Sequence, residues 1–342
     1  MNKILTVTVN YKTAELTIKC IESVAREREL NAPGLEMCVV DNDSQDGSVE
    51  KIAAAVRENG WSDWVEVLPA GCNGGFSFGN NVAIRPALAR PRDQQPDFIW
   101  LLNPDSEVEP GAALELIRFM QERPRVGMTT GLSYGLDDEI QTVAYRHFSP
   151  LTEFVGMSQI GVLERLMPFS NVVLPLGDEP SQAVWLSGAS LMIRREVFDD
   201  TGLMDEDYFL YFEETDLCIQ AGRAGWEMWY VPASRVMHVE GAATGFTLEE
   251  VAKPRRARYW FESRRRFFRK NYGLLVAMLA DLGHLSGYML WRLRRMLQNK
   301  PDLDPPFYLR DFVANSIFVA GFGLGRSKLA IPQSPERLAG RA

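Results

Sequence analysis

Cysteine is scarce in this chain of 342 residues: there are four, Cys20, Cys38, Cys72 and Cys218, and no two of them form a C-x-x-C pair. A zinc ribbon and a thioredoxin-type redox centre are therefore excluded, and free thiols in a reducing compartment are expected. The dinucleotide fingerprint G-x-G-x-x-G and the Walker motif are both missing, so dehydrogenase and P-loop readings lose their main support. The N-terminus, MNKILTVTVNY, starts as a strand and carries no signal-peptide pattern. No run of 18 uncharged apolar residues occurs, so a simple membrane-spanning helix is not expected. There is no internal repeat, and a 46% hydrophobic content rules out a wholly disordered or collagen-like chain.

Charge is unevenly placed. The net charge is −8, but residues 1–250 hold 19 basic and 39 acidic side chains, whereas residues 251–300 hold 13 and 2. An acidic body followed by a basic stretch suggests a part that performs chemistry and a part that meets something anionic. A body this acidic argues against a nucleic-acid partner.

The first hundred residues alternate strand and helix signals. Ile4 to Val9 reads as a strand and residues 13–29 as a helix, with Leu16, Cys20, Ile21 and Val24 at helical spacing. Glu36 to Val40, Trp64 to Leu68 and Phe98 to Leu102 read as further strands, with helices over Val49 to Glu58 and about 79–90. This βαβ succession with near-continuous apolar strands predicts a mostly parallel sheet covered by helices on both faces. Residues 127–180 carry no readable motif. The last twelve residues, 331–342, are expected to be a loosely ordered tail.

Polar clusters follow the strands, where open α/β sheets place their ligand crevice. Asp41 and Asp43 end the second strand, Asp105 and Glu107 follow the fourth, and Glu213, Glu214 and Asp216 form a later acidic group. Carboxylates so placed can bind a nucleotide, hold a divalent cation on a diphosphate and deprotonate a hydroxyl. Together these tasks describe group transfer from an activated nucleotide. Each cluster also has a plainer use, since Asp after a strand commonly caps a helix or begins a turn.

The order of the blocks VTVNY, VVDNDSQDGS, NGGFSFGNN, LLNPDSEV, WLSGA to FEETDLC, and VMH resembles the family-two inverting glycosyltransferases of the GT-A fold, in particular the bacterial rhamnosyltransferase-like branch. The resemblance covers about residues 4–245 and implies an α/β GT-A domain over 1–250, with a basic amphipathic helical extension over 251–330. It implies that Asn10, Tyr11, Asp41, Asn42 and Ser44 serve the nucleotide, Asp41 through the pyrimidine. Asn73, Gly75, Phe76 and Asn81 match the pattern N-x-G-F-x-x-x-x-N beside it, with Ala83 where the family has glycine. Asn103-Pro104-Asp105 stands in the D-x-D position, which makes Asp105 and His238 the expected ligands of Mg²⁺ or Mn²⁺. Glu214 is implied as general base, with Asp216 the alternative, and Trp185, Ser187 and Gly188 as the part of the acceptor side nearest the donor sugar. The implied reaction is transfer of L-rhamnose from dTDP-L-rhamnose to a cell-envelope glycan or a polyprenyl-diphosphate-linked acceptor. The alternatives are a UDP-hexose or UDP-galactofuranose donor, and a catalytically silent glycan- or nucleotide-binding relative.

In the basic stretch, Arg255, Arg256, Arg258, Arg264, Arg265, Arg266, Arg269 and Lys270 alternate with aromatic residues. A helix then follows with Leu274, Met278, Leu282, Leu285 and Met289 on one face and Asp281, His284, Tyr288, Arg292 and Arg295 on another. That pattern predicts contact with a membrane surface through residues 255–295, placing the protein peripherally at the inner face of the cell membrane. The alternative is packing on the catalytic domain or on the partner in a homodimer.

Overall fold

The computed structural model describes residues 2–239 and 254–329, so the tail expected at 331–342 lies outside the described residues. The strands form where the apolar runs are. All seven residues of Ile4–Asn10 and all five of Phe98–Leu102 are buried. Across the main sheet the order is Val65–Pro69, Leu35–Asp41, Ile4–Asn10, Phe98–Leu102, Ser190–Arg194, Val126–Tyr134, Glu227–His238 and Ser106–Val108. The first four strands are parallel; Ser190–Arg194 runs against both its neighbours, and Val126–Tyr134 and Glu227–His238 pair parallel again. The result is the expected mixed, mostly parallel sheet.

Alternate residues of each strand feed two cores. Ile4, Met37, Val39 and Trp100 point to one face, under helices Ala14–Leu30, Ser48–Glu58 and Ala112–Glu122. Leu5, Val7, Val40 and Leu101 point to the other, under helices Gly75–Leu88 and Glu213–Arg223. All four cysteines are free; burial pushes the thiols of Cys20, Cys38 and Cys218 up to about 12, so these three behave as small apolar core residues.

Three expectations need correction. The helix expected at 79–90 begins at Gly75, whose N–H donates to the Asn73 side chain (3.1 Å). Half of the glycine-rich loop is thus a helical first turn. Residues 127–180, which carry no motif, fold into the strand Val126–Tyr134 and the helix Pro150–Ser158, the seat of the C-terminal extension.

The third correction concerns the extension itself. A helix spans Arg258–Leu297 with a kink at Gly273 (φ 82°), and it contains a stretch long and apolar enough to cross a membrane. Its packed side carries polar as well as apolar residues, and a row of large apolar residues is left outside. Asp281, His284, Tyr288 and Arg295 are buried, while Leu275, Leu279, Leu282, Met289, Leu293 and Met296 are exposed. The arginines expected to meet an anionic surface are mostly spent within the chain. Arg264 is buried between Glu153 (2.8 Å) and Asp281, Arg266 pairs with Asp205 (2.8 Å) and Asp207 (2.7 Å), and Arg255 pairs with Asp311 (2.6 Å). Of the expected apolar face, Leu274, Met278 and Leu285 pack against the body and Leu282 and Met289 stay exposed, while Asp281, His284, Tyr288 and Arg295 of the other face are buried.

Candidate active site

The loops at the carboxyl ends of the strands converge. Asn10 and Asp41 end neighbouring parallel strands in register, so their side chains meet: Asn10 Nδ2 donates to Asp41 Oδ2 (2.6 Å). Ser44 donates to the same oxygen through its hydroxyl (2.6 Å) and to Oδ1 through its backbone N–H (2.9 Å). Three donors fill three of the four acceptor positions of the carboxylate and leave one on Oδ1, the capacity that an imide N–H of a pyrimidine requires. Asn42 ties this loop to the next, donating to Asn73 Oδ1 (3.1 Å) and to the Gly75 carbonyl (3.1 Å). Tyr11 is half-buried, with the Lys12 ammonium 5.2 Å from its ring centre.

Asn81 departs from expectation. It is 1% exposed, and its amide donates to the Met204 carbonyl (2.8 Å) and to Glu206 Oε1 (2.9 Å). It fastens the helix Gly75–Leu88 to the 204–206 segment instead of facing a ligand. Glu206, also held by Arg85 (2.6 Å), is a partner that no motif announced.

The Asn103-Pro104-Asp105 turn faces the end of strand Glu227–His238. His238 Nε2 lies 3.3 Å from Asp105 Oδ1 and 3.4 Å from Asn103 Nδ2. On its other side His238 Nδ1 is 3.1 Å from Gln141 Oε1, and Gln141 Nε2 donates to the His238 carbonyl (2.9 Å). Gln141 thereby favours the tautomer protonated on Nδ1 and leaves the Nε2 lone pair toward Asp105, the arrangement common to metal-binding histidines. Sequence reasoning missed Gln141 because it sits in a stretch without a motif. Among the described residues no three His, Cys, Asp or Glu side chains gather into a metal cluster. One carboxylate and one imidazole suit an ion that takes its other ligands from a nucleotide diphosphate.

Glu213 and Glu214 open the helix Glu213–Arg223; Glu213 is buried and Glu214 half-buried, and each has one shielded carboxylate oxygen lacking any hydrogen-bond partner. Burial raises the carboxyl pKa of both, and for Glu213 the neighbouring Glu214 adds to the rise. Gly188 lies between the nucleotide loop and the acid: a β-carbon there would stand 3.5 Å from Phe76 Cε1 and 3.7 Å from Glu214 Cβ and Cγ. The backbone N–H of Gly188 steadies the Glu214 carboxylate. The Ser187 N–H donates to the Val143 carbonyl (2.9 Å), while the Ala189 carbonyl accepts from Asn103 N (2.9 Å), so the 187–189 loop is joined directly to the Asp105 turn.

Two further expectations are corrected here. Asp216 is not free to act as a base: Asn271 Nδ2 (2.6 Å) and Tyr208 OH (3.3 Å) occupy Oδ1, and Lys270 (2.6 Å) occupies Oδ2. It anchors the extension to the catalytic body. Trp185 offers no ready face to a sugar, since it stacks on Tyr145 (3.7 Å between centroids) and on Phe148 (5.5 Å).

The chain has known relatives. The chain is 31% identical over 229 residues to the N-acetylglucosaminyl-diphospho-decaprenol L-rhamnosyltransferase of Mycobacterium tuberculosis, covering 65% of this chain and 71% of that one. It is 25% identical over 164 residues to the rhamnosyltransferase WbbL of Escherichia coli K12, covering 48% of this chain and 60% of the relative. Among solved structures it resembles GalNAc-T7 with UDP, GalNAc and Mn²⁺ (TM-score 0.57, 15% identity, 95% of this chain, 58% of that one). It also resembles the mannosyltransferase PcManGT of Pyrobaculum calidifontis in complex with GDP-Man and Mn²⁺ (TM-score 0.53, 12% identity, 87% and 75%). These likenesses are of fold, and the fold is GT-A. Residues 2–273, most of the chain, match the model of glycosyltransferase like family 2, so this protein belongs to the family-two glycosyltransferases and is rhamnosyltransferase-like.

Proposed function

We propose that the protein transfers L-rhamnose from dTDP-L-rhamnose, with inversion at the anomeric carbon, to a sugar carried on a polyprenyl diphosphate at the inner face of the cell membrane. The observation that carries the chemistry is Glu214, a half-buried residue with a shielded, unfilled carboxylate oxygen, set beside Gly188, which also adjoins Phe76 of the nucleotide loop. The acceptor hydroxyl attacks the anomeric carbon as the bond to the diphosphate breaks, and Glu214 takes the hydroxyl proton. Asn10, Asp41, Asn42, Ser44, Asn73 and Phe76 orient the donor. Asp105 and His238, with Asn103, would hold Mg²⁺ or Mn²⁺. Such an ion neutralises charge on a departing diphosphate. The choice of rhamnosyl donor rests on the two rhamnosyltransferase relatives. Asp41 would read the same edge of thymine and of uracil, so a UDP-sugar donor is the second reading.

The exposed side of the helix Arg258–Leu297 supports membrane contact. Positions 275, 279, 282, 286, 289, 293 and 296 form one continuous stripe at helical spacing, apolar except for Ser286. A stripe of exposed leucines with no water-facing charge suits a lipid surface. A panel of sugar nucleotides tested by thermal shift and by transfer to a lipid-diphosphate acceptor tests the donor: stabilisation and turnover with dTDP-L-rhamnose alone support the proposal. Turnover with a UDP-sugar instead would replace it. Flotation with neutral vesicles at high salt tests the membrane face, because an apolar contact persists there and an electrostatic one does not. A soluble dimer that does not float would give the stripe to a second copy.

A further inference from the structure

Among the described residues between 255 and 270, one cation, Arg256, has neither an ion pair nor a hydrogen bond. Between residues 255 and 270, Arg255, Arg258, Arg264, Arg266 and Lys270 form ion pairs, and Arg265 and Arg269 donate to the carbonyls of Asn315 and Phe322. Arg256 does neither. Among the described residues it has no carboxylate partner and no hydrogen bond, its Nε is shielded from water, and its guanidinium lies 4.6 Å from the centre of the Trp260 ring. A half-buried guanidinium without a partner carries a desolvation cost that a bound anion would relieve.

Its surroundings lead back to the base. The Tyr259 ring stacks with Tyr211 (6.1 Å, 24°) and meets Phe209 (5.2 Å). Tyr211 and Phe212 both have left-handed backbones (φ 72° and 69°), a costly pair of conformations held in place by two neighbours. Phe76 N donates to the Phe209 carbonyl (2.9 Å), and the Ser263 hydroxyl donates to the Leu210 carbonyl (3.0 Å). The strained turn thus places Tyr211 two residues before Glu213 and three before Glu214. Both tyrosines feel the charge of Arg256, and Tyr211 also feels Glu213 and Glu214. On the far side, Arg255 lies over the ring of Phe307 (5.4 Å), an exposed apolar residue of the extension.

Resting on the proposed function, we propose that Arg256 binds the diphosphate of a lipid-linked acceptor, with Tyr211 and Tyr259 flanking the acceptor sugar so that its hydroxyl reaches Glu214. Arginine suits this role because its planar fork binds two phosphate oxygens at once. Aromatic rings supply a rigid, partly polar wall for a sugar.

The test uses the full chain with decyl diphosphate, a sugar-free probe, in the presence of saturating dTDP, which fills the donor's own diphosphate site. Wild-type protein should bind the probe, and Arg256→Ala should bind it about 10- to 100-fold more weakly, the usual loss for a hydrogen bond to a charged group. Arg256→Lys should fall between. In transfer assays, Arg256→Ala should raise KM for a decyl-diphosphate-linked sugar while leaving KM for the donor and the use of a neutral decyl glycoside unchanged. Equal probe binding by wild type and Arg256→Ala overturns the proposal, as does equal loss with both acceptors. Probe binding that depends on Arg256, in a protein that does not transfer rhamnose, would instead sink the donor assignment and leave the subsite standing.

Discussion

Gly75 and Phe209 share space that no side chain could enter. A β-carbon on Gly75 would stand 2.7 Å from Phe209 Cα and closer still to its carbonyl, and the Gly75 backbone is left-handed (φ 86°). This contact presses the nucleotide loop onto the turn that leads into Glu214. Gly75→Ala combines overpacking with backbone strain, and roughly 2–4 kcal/mol of stability should be lost. Donor affinity and transfer should fall together. Calorimetric melting with and without nucleotide measures both, and an unchanged melting temperature contradicts the packing described.

Glu214 has a raised pKa because its carboxyl group is desolvated, and only its ionised form accepts a proton. Transfer should therefore rise with pH through an apparent pKa above that of an ordinary carboxylate. For stability the sign is opposite. A carboxyl whose folded pKa is raised contributes stability below its unfolded value near 4.5 and loses that contribution as pH rises. Glu214→Gln should thus melt higher than wild type at neutral pH, by about 1 kcal/mol in stability. A lower melting temperature would show that the carboxylate is better solvated than the structure indicates.

The buried group of Arg264, Glu153, Asp281 and His284 holds the extension to the body. Arg264→Leu removes the cation from between two carboxylates, leaving Glu153 with His284 and Asp281 with the Ile317 N–H alone, and should cost about 3–5 kcal/mol. Burial favours the neutral carboxyl of Glu153, but the Arg264 guanidinium and His284 outweigh it and hold the group at about 2. The His284 pKa is lowered by burial. Both shifts have one sign: stability is full above the unfolded values, near 6.5 for histidine and 4.5 for glutamate, and falls with acidification below them. Protection of the amides of helix Pro150–Ser158 against hydrogen exchange, relative to their intrinsic rates, should fall below pH 6.5, and protection unchanged down to pH 4 would contradict the assignment.

Much of this was legible in the sequence because the strands are continuous apolar runs and the polar clusters come directly after them. Phe98–Leu102 matches its expected bounds. Asn103, Asp105 and His238 do converge, although 133 residues separate Asp105 from His238 in the chain. What was not legible depended on partners distant in sequence. Asp216 reads like Glu214 until Lys270 and Asn271 are seen to occupy it. The basic stretch looked free because its partners, Glu153, Asp205 and Asp311, lie elsewhere in the chain. A two-faced helix also does not reveal which of its faces is packed.

Gln141 supports His238 from a stretch without any motif. Gln141→Leu removes that support and should weaken Mn²⁺ binding in the presence of dTDP by about 10- to 100-fold, the usual effect of losing a partner behind a metal ligand. Titration followed by electron paramagnetic resonance reads this without any transfer reaction. Affinity equal to wild type would remove Gln141 from the site.

The most direct test of the account is the transfer rate of Glu214→Gln, with Asp216→Asn beside it, at saturating dTDP-L-rhamnose and a lipid-diphosphate acceptor. Glu214→Gln should bind the donor as wild type does and transfer on the order of 10²- to 10⁴-fold more slowly. Asp216→Asn should lose stability while keeping a measurable rate. Wild-type transfer by Glu214→Gln would contradict the central claim.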